Sequence, residues 1–224
     1  MINDKLIEIQ DHFDKTVQNC QKFAIYARGQ EFQIDACEQL DKLLKELGIY
    51  KQEMISEQNE IAANTLLSLE EMVIALSSEL KMILELKNDN PDKAWDYLID
   101  AQMAIRAAMQ SHPDGANHLE NYVRKLNVLE ILLFPNQLFF STGLVATESK
   151  CSICDGVYGE CNHLVGKAYM GKHCYEIVTK SNLEEVSIVE NPASKKCRAT
   201  TFNFDDTKRN LMTYRPTNNE KPSS

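Results

Sequence analysis

The sequence predicts a mainly α-helical protein, in which an antiparallel helical bundle is followed by a small β-containing module. Three observations lead to this fold class. Apolar residues recur every three or four positions through the first 134 residues, β-branched residues become frequent after Pro135, and five of the seven cysteines lie between 151 and 197. We therefore divide the 224 residues into a helical bundle at 1–134, a small module at 135–204 and a disordered tail at 205–224.

The first three predicted helices are defined by apolar periodicity and by glycines. The stripe of the first helix consists of Leu6, Ile9, Phe13, Val17, Cys20 and Ala24. Gly29 predicts its end, and Gly48 predicts the end of a second, leucine-rich helix, because glycine is common just beyond a helix C-terminus. The third helix is predicted from Lys51 to Leu86, and its apolar seam resembles the a/d repeat of a coiled coil.

Proline and glycine delimit the last two predicted helices. Asn90 can cap the fourth helix, with Pro91 at its first position. The run His112-Pro113-Asp114-Gly115 ends it, and a fifth helix from Leu119 to Leu133 stops before Pro135. Short connections favour antiparallel neighbours, which predicts the bundle.

Three short runs after Pro135 predict strands. They are Leu138–Val145, the β-branched Glu185–Val189, and Arg198–Phe204, in which Phe202 and Phe204 alternate. The sequence therefore predicts one small sheet in the C-terminal module.

Four candidate metal ligands lie within 13 residues, at the spacing C-x₂-C-x₆-C-x-H. They are Cys151, Cys154, Cys161 and His163, with Cys174 as a reserve donor in place of Cys161 or His163. Three thiolates and one imidazole suit tetrahedral Zn²⁺, and a set with four protein ligands is typical of structural sites. We therefore predict a structural zinc ion that staples the β-containing module.

No catalytic residue is predicted. The chain lacks H-E-x-x-H, a G-x-S-x-G elbow, a Walker loop and G-x-G-x-x-G. It also has no apolar run of the roughly 20 residues that span a membrane, and no secretory signal pattern. We expect a cytoplasmic protein with no membrane partner, in which reduced cysteines are free to bind metal.

The charge distribution leaves one region that could approach nucleic acid. Residues 1–140 carry 13 basic against 23 acidic residues, whereas residues 141–224 carry 11 against 10. An acidic helical body repels nucleic acid, so only the basic C-terminal stretch is a candidate. Its basic residues are Lys195, Lys196, Arg198, Lys208, Arg209 and Arg215.

The segment Glu-Val-Ser-Ile-Val-Glu-Asn-Pro-Ala, residues 185–193, resembles the E-V-S-[IVL]-V-x-x-P-A run of tailed-phage prohead proteases and related phage proteins. The C-x₂-C knuckle, the Cys-x-His pair and the Gly-x-x-Tyr-x-Gly-x-x-Cys tract that ends at Cys174 also resemble some phage-type proteins. The resemblance covers residues 151–193, about a fifth of the chain. It implies a phage or mobile-element setting, and as an alternative a prohead-type serine protease or hydrolase using Ser187 or another serine.

Together these observations favour a non-enzymatic zinc-binding protein that acts through a protein partner or as a homo-oligomer. A component of a phage or of an antiphage system fits the resemblance. The alternatives are a prohead-type serine protease or hydrolase, and a nucleic-acid-binding protein that uses the basic C-terminal stretch.

Overall fold

The computed structural model describes residues 2–24, 27–113 and 115–217, and it contains helices followed by small antiparallel sheets. The helices are α1 (Ile2–Gln21), α2 (Gln30–Ser56), α3 (Glu60–Lys87), α4 (Pro91–Ser111) and α5 (Glu120–Leu133), with a 3₁₀ turn at Asn117–Leu119. The strands are β1 (Phe139–Cys151), β2 (Ala168–Tyr169), β3 (Lys172–His173), β4 (Glu176–Val189), β5 (Thr201–Phe204) and β6 (Thr207–Asn210).

The boundary between α2 and α3 differs from the prediction. α2 continues through Gly48, and the chain breaks instead at Glu57–Asn59, where Gln58 adopts a left-handed φ of 57°. Asn59 caps α3 by accepting a 3.2 Å hydrogen bond from the Ala62 N–H. A Cβ at Gly48 would lie 3.4 Å from Glu70 Oε1, so this glycine faces α3 in a helix contact and does not end a helix.

Gly29 does not end the first helix, because α1 ends at Gln21 and Gly29 is the N-cap of α2. The predicted signals for the start of α4 and the end of α5 agree with the structure. Asn90 occupies the N-cap position of α4, where its side chain makes no capping hydrogen bond, and Pro91 is the first residue of the helix. α5 ends at Leu133, two residues before Pro135. Proline lacks an N–H and fixes φ, which suits the start of a helix and prevents its continuation.

Two apolar clusters form the core, and α3 contributes to both. Leu66, Val73 and Leu80 pack with α1 and α2, whereas Ala75 and Met82 pack with α4 and α5. Among the described helices, only α3 is long and apolar enough to cross a membrane, and 67% of that apolar window is buried inside the protein. The predicted a/d seam of α3 is therefore used for contacts within the chain.

The predicted single sheet is in fact three two-stranded antiparallel sheets, β1–β4, β2–β3 and β5–β6. The predicted run Leu138–Val145 is the first half of β1, and Glu185–Val189 is the last part of β4. We call β1 and β4 together the ribbon. The residues between them, 152–175, carry most of the candidate donors.

The predicted disordered tail is wrong for residues 205–217. β6 pairs with β5, and Met212 is buried against the second core cluster. Asn210 also hydrogen-bonds to Asp92 of α4. The remainder of the predicted tail, 218–224, lies outside the described residues.

The base of the ribbon is anchored on the helices by aromatic contacts. The ring of Trp95 packs edge-on against Phe134, with 5.3 Å between centroids, and lies 6.0 Å from the ring of Phe139. The Trp95 indole N–H donates a 2.9 Å hydrogen bond to the carbonyl of Lys195. Phe139 and its cross-strand partner Val189 therefore face the helices.

Because side chains alternate along a strand, the ribbon has two different faces. The inner face continues from Phe139 and Val189 and is largely polar. On this face the side chain of Glu185 lies over Gly143, since a Cβ at that glycine would be 2.9 Å from Glu185 Cγ. The outer face is apolar. It consists of Phe140, Thr142 and Leu144 of β1 and of Ile188, Val186 and Leu183 of β4.

Candidate metal centre

The C-x₂-C knuckle, Cys151 to Cys154, begins at the far end of the ribbon, where β1 ends. Cys151 is the last residue of β1, and its N–H donates to the carbonyl of Gly156 at 2.9 Å. The N–H of Asp155 donates back to the Cys151 carbonyl at 2.9 Å, and Asp155 has a φ of 58°. The Ile153 N–H points at the Cys151 sulfur from 3.4 Å. This tight turn brings the first two thiols to one side of the chain.

The structure brings all four predicted donors together. One ligand atom from each of Cys151, Cys154, Cys161 and His163 lies within 4.8 Å of the others. Cys151 is buried, Cys161 and His163 are half-buried, and Cys154 is exposed. The cluster could therefore hold a metal ion at the protein surface, with one face closed by the ribbon.

The reserve donor Cys174 also lies at this site. Its Sγ is 3.8 Å from Cys151 Sγ, and both thiols are buried. Two zinc–sulfur bonds of about 2.3 Å in a tetrahedron place the sulfurs roughly 3.8 Å apart. Backbone bonds from Gly166 N–H to the Cys174 carbonyl and from Cys174 N–H to the Lys167 carbonyl, at 2.9 and 2.8 Å, fix this position. Cys174 is not among the four donors that lie within 4.8 Å of one another, so it is a fifth thiol beside a cluster of four.

The imidazole of His163 is oriented for coordination. Its Nδ1 is buried and has no hydrogen-bond partner among the described residues. The ring packs edge-on against Tyr169, with centroids 4.7 Å apart, and the Tyr169 hydroxyl accepts a hydrogen bond from the Leu164 N–H. A buried nitrogen without a partner carries an unfavourable desolvation cost. A metal bond to Nδ1 would remove that cost, so the residues fit a bound cation.

The electrostatics of the thiols fit a cation as well. Burial alone raises the pKa of Cys151, but the N–H groups of Cys154 and Ile153 and the neighbouring Cys161 thiol lower it to about 6. Burial raises the pKa of Cys174, and the adjacent Cys151 thiolate raises it further. Without a cation, one ionised thiol therefore suppresses ionisation of the next. A divalent metal would relieve this repulsion and stabilise several thiolates at once.

The β2–β3 hairpin docks the donor cluster on α2 and α3. The Gly171 N–H donates a 2.8 Å hydrogen bond to the side chain of Asn64, whose amide donates to the carbonyl of Ala168 at 3.4 Å. Gly171 has a φ of 70°, and a Cβ there would lie 3.1 Å from the side chain of Lys51. Sequence analysis missed this contact, because nothing near Asn64 predicts a partner more than 100 residues away.

A histidine beside Cys174 completes the docking. His173 Nε2 lies 3.7 Å from a carboxylate oxygen of Glu71 on α3. Burial raises the pKa of Glu71 to about 7, and the nearby Glu70 carboxylate adds to the rise. His173 Nε2 makes no hydrogen bond at this distance, and burial lowers the pKa of this histidine. The module therefore places a buried imidazole beside a buried carboxyl group, which sequence spacing gave no reason to expect.

The basic C-terminal stretch is largely paired with carboxylates of the helices. The pairs are Lys195–Glu130, Lys196–Asp100, Arg198–Asp92 and Arg215–Asp89. The Arg198 side chain is only 2% exposed and also packs over the Trp95 ring. These contacts hold residues 195–215 against the acidic body and lower the positive charge that they offer to phosphate.

Ser187, the serine considered for a protease, lies on β4 at the inner face of the ribbon. Its hydroxyl donates a 3.0 Å hydrogen bond to the exposed carboxylate of Glu185. This pair is on an open two-stranded sheet and is not enclosed in a cleft.

Comparisons with protein-family models, with curated proteins and with solved structures find no match to this chain. The resemblance to prohead proteases therefore rests on residues 151–193 alone.

Proposed function

We propose that this chain is a non-enzymatic protein that binds one structural zinc ion and acts through protein–protein interaction. One observation carries the proposal. A long ribbon is fastened at its base by Phe139 on Trp95 and at its far end by the donor cluster, and between these points it presents an apolar outer face to solvent. Contiguous exposed apolar surface of this kind typically marks a protein-binding site.

The donor set supports a structural role for the metal. Catalytic zinc sites usually have three protein ligands and one open position for water. Here Cys151, Cys154, Cys161 and His163 would fill four positions, and Cys174 lies beside them as a further thiol. We infer that zinc closes the connection between β1 and β4 and holds the ribbon in place.

The helices serve as the platform for the ribbon in this proposal. We infer that the five helices, joined by short connections, form an antiparallel bundle. The surroundings are proposed to be cytoplasmic, where thiols stay reduced. A phage-encoded or antiphage-system component is proposed from the resemblance of residues 151–193.

The experiment is elemental analysis of the purified protein together with hydrogen exchange. We expect one zinc per chain in the wild type and none in the variant Cys151→Ser/Cys154→Ser, which retains three donors. Residues 152–175 of the variant should lose protection while α1–α4 keep theirs. A wild-type protein that folds fully without metal would contradict the structural zinc.

A second measurement addresses the absence of catalysis. A fluorophosphonate probe should not label the wild-type protein more than Ser187→Ala. Labelling that disappears in Ser187→Ala would overturn the non-enzymatic proposal in favour of a serine hydrolase.

A further inference from the structure

The outer face of the ribbon leaves large apolar side chains uncovered. Phe140, Leu144, Leu183, Val186 and Ile188 are between 36% and 66% exposed. An isolated two-stranded sheet is only marginally stable in water and normally needs a further strand or a packed layer. Most of β4 is exposed, so the helices do not supply that layer along its length.

From this face we infer that the ribbon is a dimer interface, covered by the ribbon of a second copy of the same chain. The inference rests on the proposed function, of which it names the partner. The two outer faces pack against each other across a two-fold axis, so each copy uses the same residues.

The order of side chains makes the outer face self-complementary. The cross-strand pairs are Phe140–Ile188, Thr142–Val186 and Leu144–Leu183. We place the two-fold axis at the central pair, Thr142–Val186, and perpendicular to the strands. The Phe140–Ile188 pair of one copy then packs against the Leu144–Leu183 pair of the other. Large side chains then meet side chains of similar size at both ends.

The charge pattern permits the same arrangement. The chain has a net charge of −9, which opposes association in general. None of the six paired outer-face residues is charged, and Glu185 lies on the inner face beside Gly143. Glu184 has no cross-strand partner, because the register passes from Glu185 to Leu183, and it is exposed at the leucine end of this face. Two copies can therefore pack the six paired residues together without like charges in contact, and the dimer leaves the Glu184 carboxylate in water at the edge of the interface.

The available area suits a reversible dimer. Five side chains at these exposures offer roughly 500 Å² of apolar surface per copy, given that a large aromatic side chain buries about 200 Å². Two copies would bury about 1,000 Å², the lower end for a specific interface. Register shifts next to Gly143 and Leu144 interrupt the ladder, and such bulges disfavour pairing along a strand edge. Packing through the face is thus favoured over addition of strands at the edge.

The test is sedimentation velocity of the zinc-loaded full chain, from low micromolar to several hundred micromolar. We expect a concentration-dependent dimer. Val186→Asp, on the outer face, should weaken the dimerisation constant at least about tenfold, a change of about 1.4 kcal/mol. Val145→Asp is the matched control, because Val145 is an exposed valine of the same ribbon that alternates onto the inner face. It should leave the constant unchanged.

Zinc content and helical circular dichroism are measured on every sample. If Val186→Asp loses either, Val186→Thr, which keeps the β-branched shape, replaces it and should also weaken the dimer. A wild type that stays monomeric, an assembly larger than a dimer, or equal effects of Val186→Asp and Val145→Asp would overturn the inference. A monomeric protein with one zinc per chain would contradict only the inference that the partner is a second copy. A folded protein without zinc would contradict the proposed function itself.

Discussion

Cys151 at the end of β1 and Cys174 just before β4 place their sulfurs 3.8 Å apart, across a connection of 22 residues. The distance equals the edge of a zinc–thiolate tetrahedron, about 3.8 Å. A metal bound to both cysteines would therefore link the end of β1 to the start of β4 and fix the far end of the ribbon.

A cluster of four donors with the Cys174 thiol beside it predicts tolerance to single losses. Cys174→Ser and His163→Ala should each retain one zinc per chain with weaker affinity, because four donors remain in each. The double variant should lose the metal, since three donors leave an open position for water and chelators. Competition with a chromophoric chelator measures all three. Cys197→Ser is the matched control, because Cys197 is an exposed cysteine outside the cluster.

If either single variant loses zinc as readily as the double variant does, the expected tolerance to single losses is contradicted. Such a loss would instead identify that residue as an obligatory ligand.

The docking of the module on α3 predicts a second effect. Asn64→Ala removes the acceptor of the Gly171 N–H and the donor to the Ala168 carbonyl. The loss should destabilise the β2–β3 hairpin by about 1–3 kcal/mol, because a backbone N–H is left without a partner. Hydrogen exchange of residues 166–174 measures it. Asn19→Ala on α1 is the control, and equal protection in both variants would contradict the docking.

Much of this architecture could be predicted from local patterns, and the remainder could not for physical reasons. Proline and asparagine at residues 90–91 define the start of α4, and the C-x₂-C spacing identifies the metal cluster, because both signals are local. The first half of β4 was missed because both of its faces are exposed, so its sequence shows no alternation. The helix end predicted at Gly48 is wrong because this glycine lies in the contact between α2 and α3, which is formed only in the folded chain.

The tail was misread for a related reason. Residues 205–217 contain few apolar side chains, which predicts disorder. In the structure they are held by polar contacts to α4 and its N-terminal loop, including Asn210 on Asp92 and Arg215 on Asp89. Ion pairs between residues more than 100 positions apart leave no periodic signal in the sequence.

The raised pKa of Glu71 predicts a pH dependence of stability. Burial raises this pKa from 4.5 to about 7, so the folded state binds the proton more tightly than the unfolded state. Stability from this group is therefore fully present below about pH 4.5 and is lost as the pH rises towards 7. The loss is at most a few kcal/mol, since one pKa unit corresponds to about 1.4 kcal/mol.

Glu71→Gln should remove this dependence, so the stability of the zinc-saturated variant relative to wild type should be higher at pH 8 than at pH 5. Urea unfolding of wild type and variant at the two pH values measures the difference. The exposed Glu57→Gln serves as the control, and zinc saturation keeps metal release from contributing. An identical pH profile for Glu71→Gln and wild type would contradict the burial of an ionisable carboxylate on α3.

The base of the ribbon provides the last prediction. Trp95 is the single tryptophan and packs against Phe139, whereas Phe140 points to the outer face. Phe139→Ala should destabilise the protein by roughly 3 kcal/mol and shift the Trp95 emission to longer wavelength, because water reaches the indole. Phe140→Ala should leave the emission unchanged. A shifted emission in Phe140→Ala and an unchanged one in Phe139→Ala would mean that the faces of the ribbon are assigned the wrong way round, since the inner face contacts Trp95.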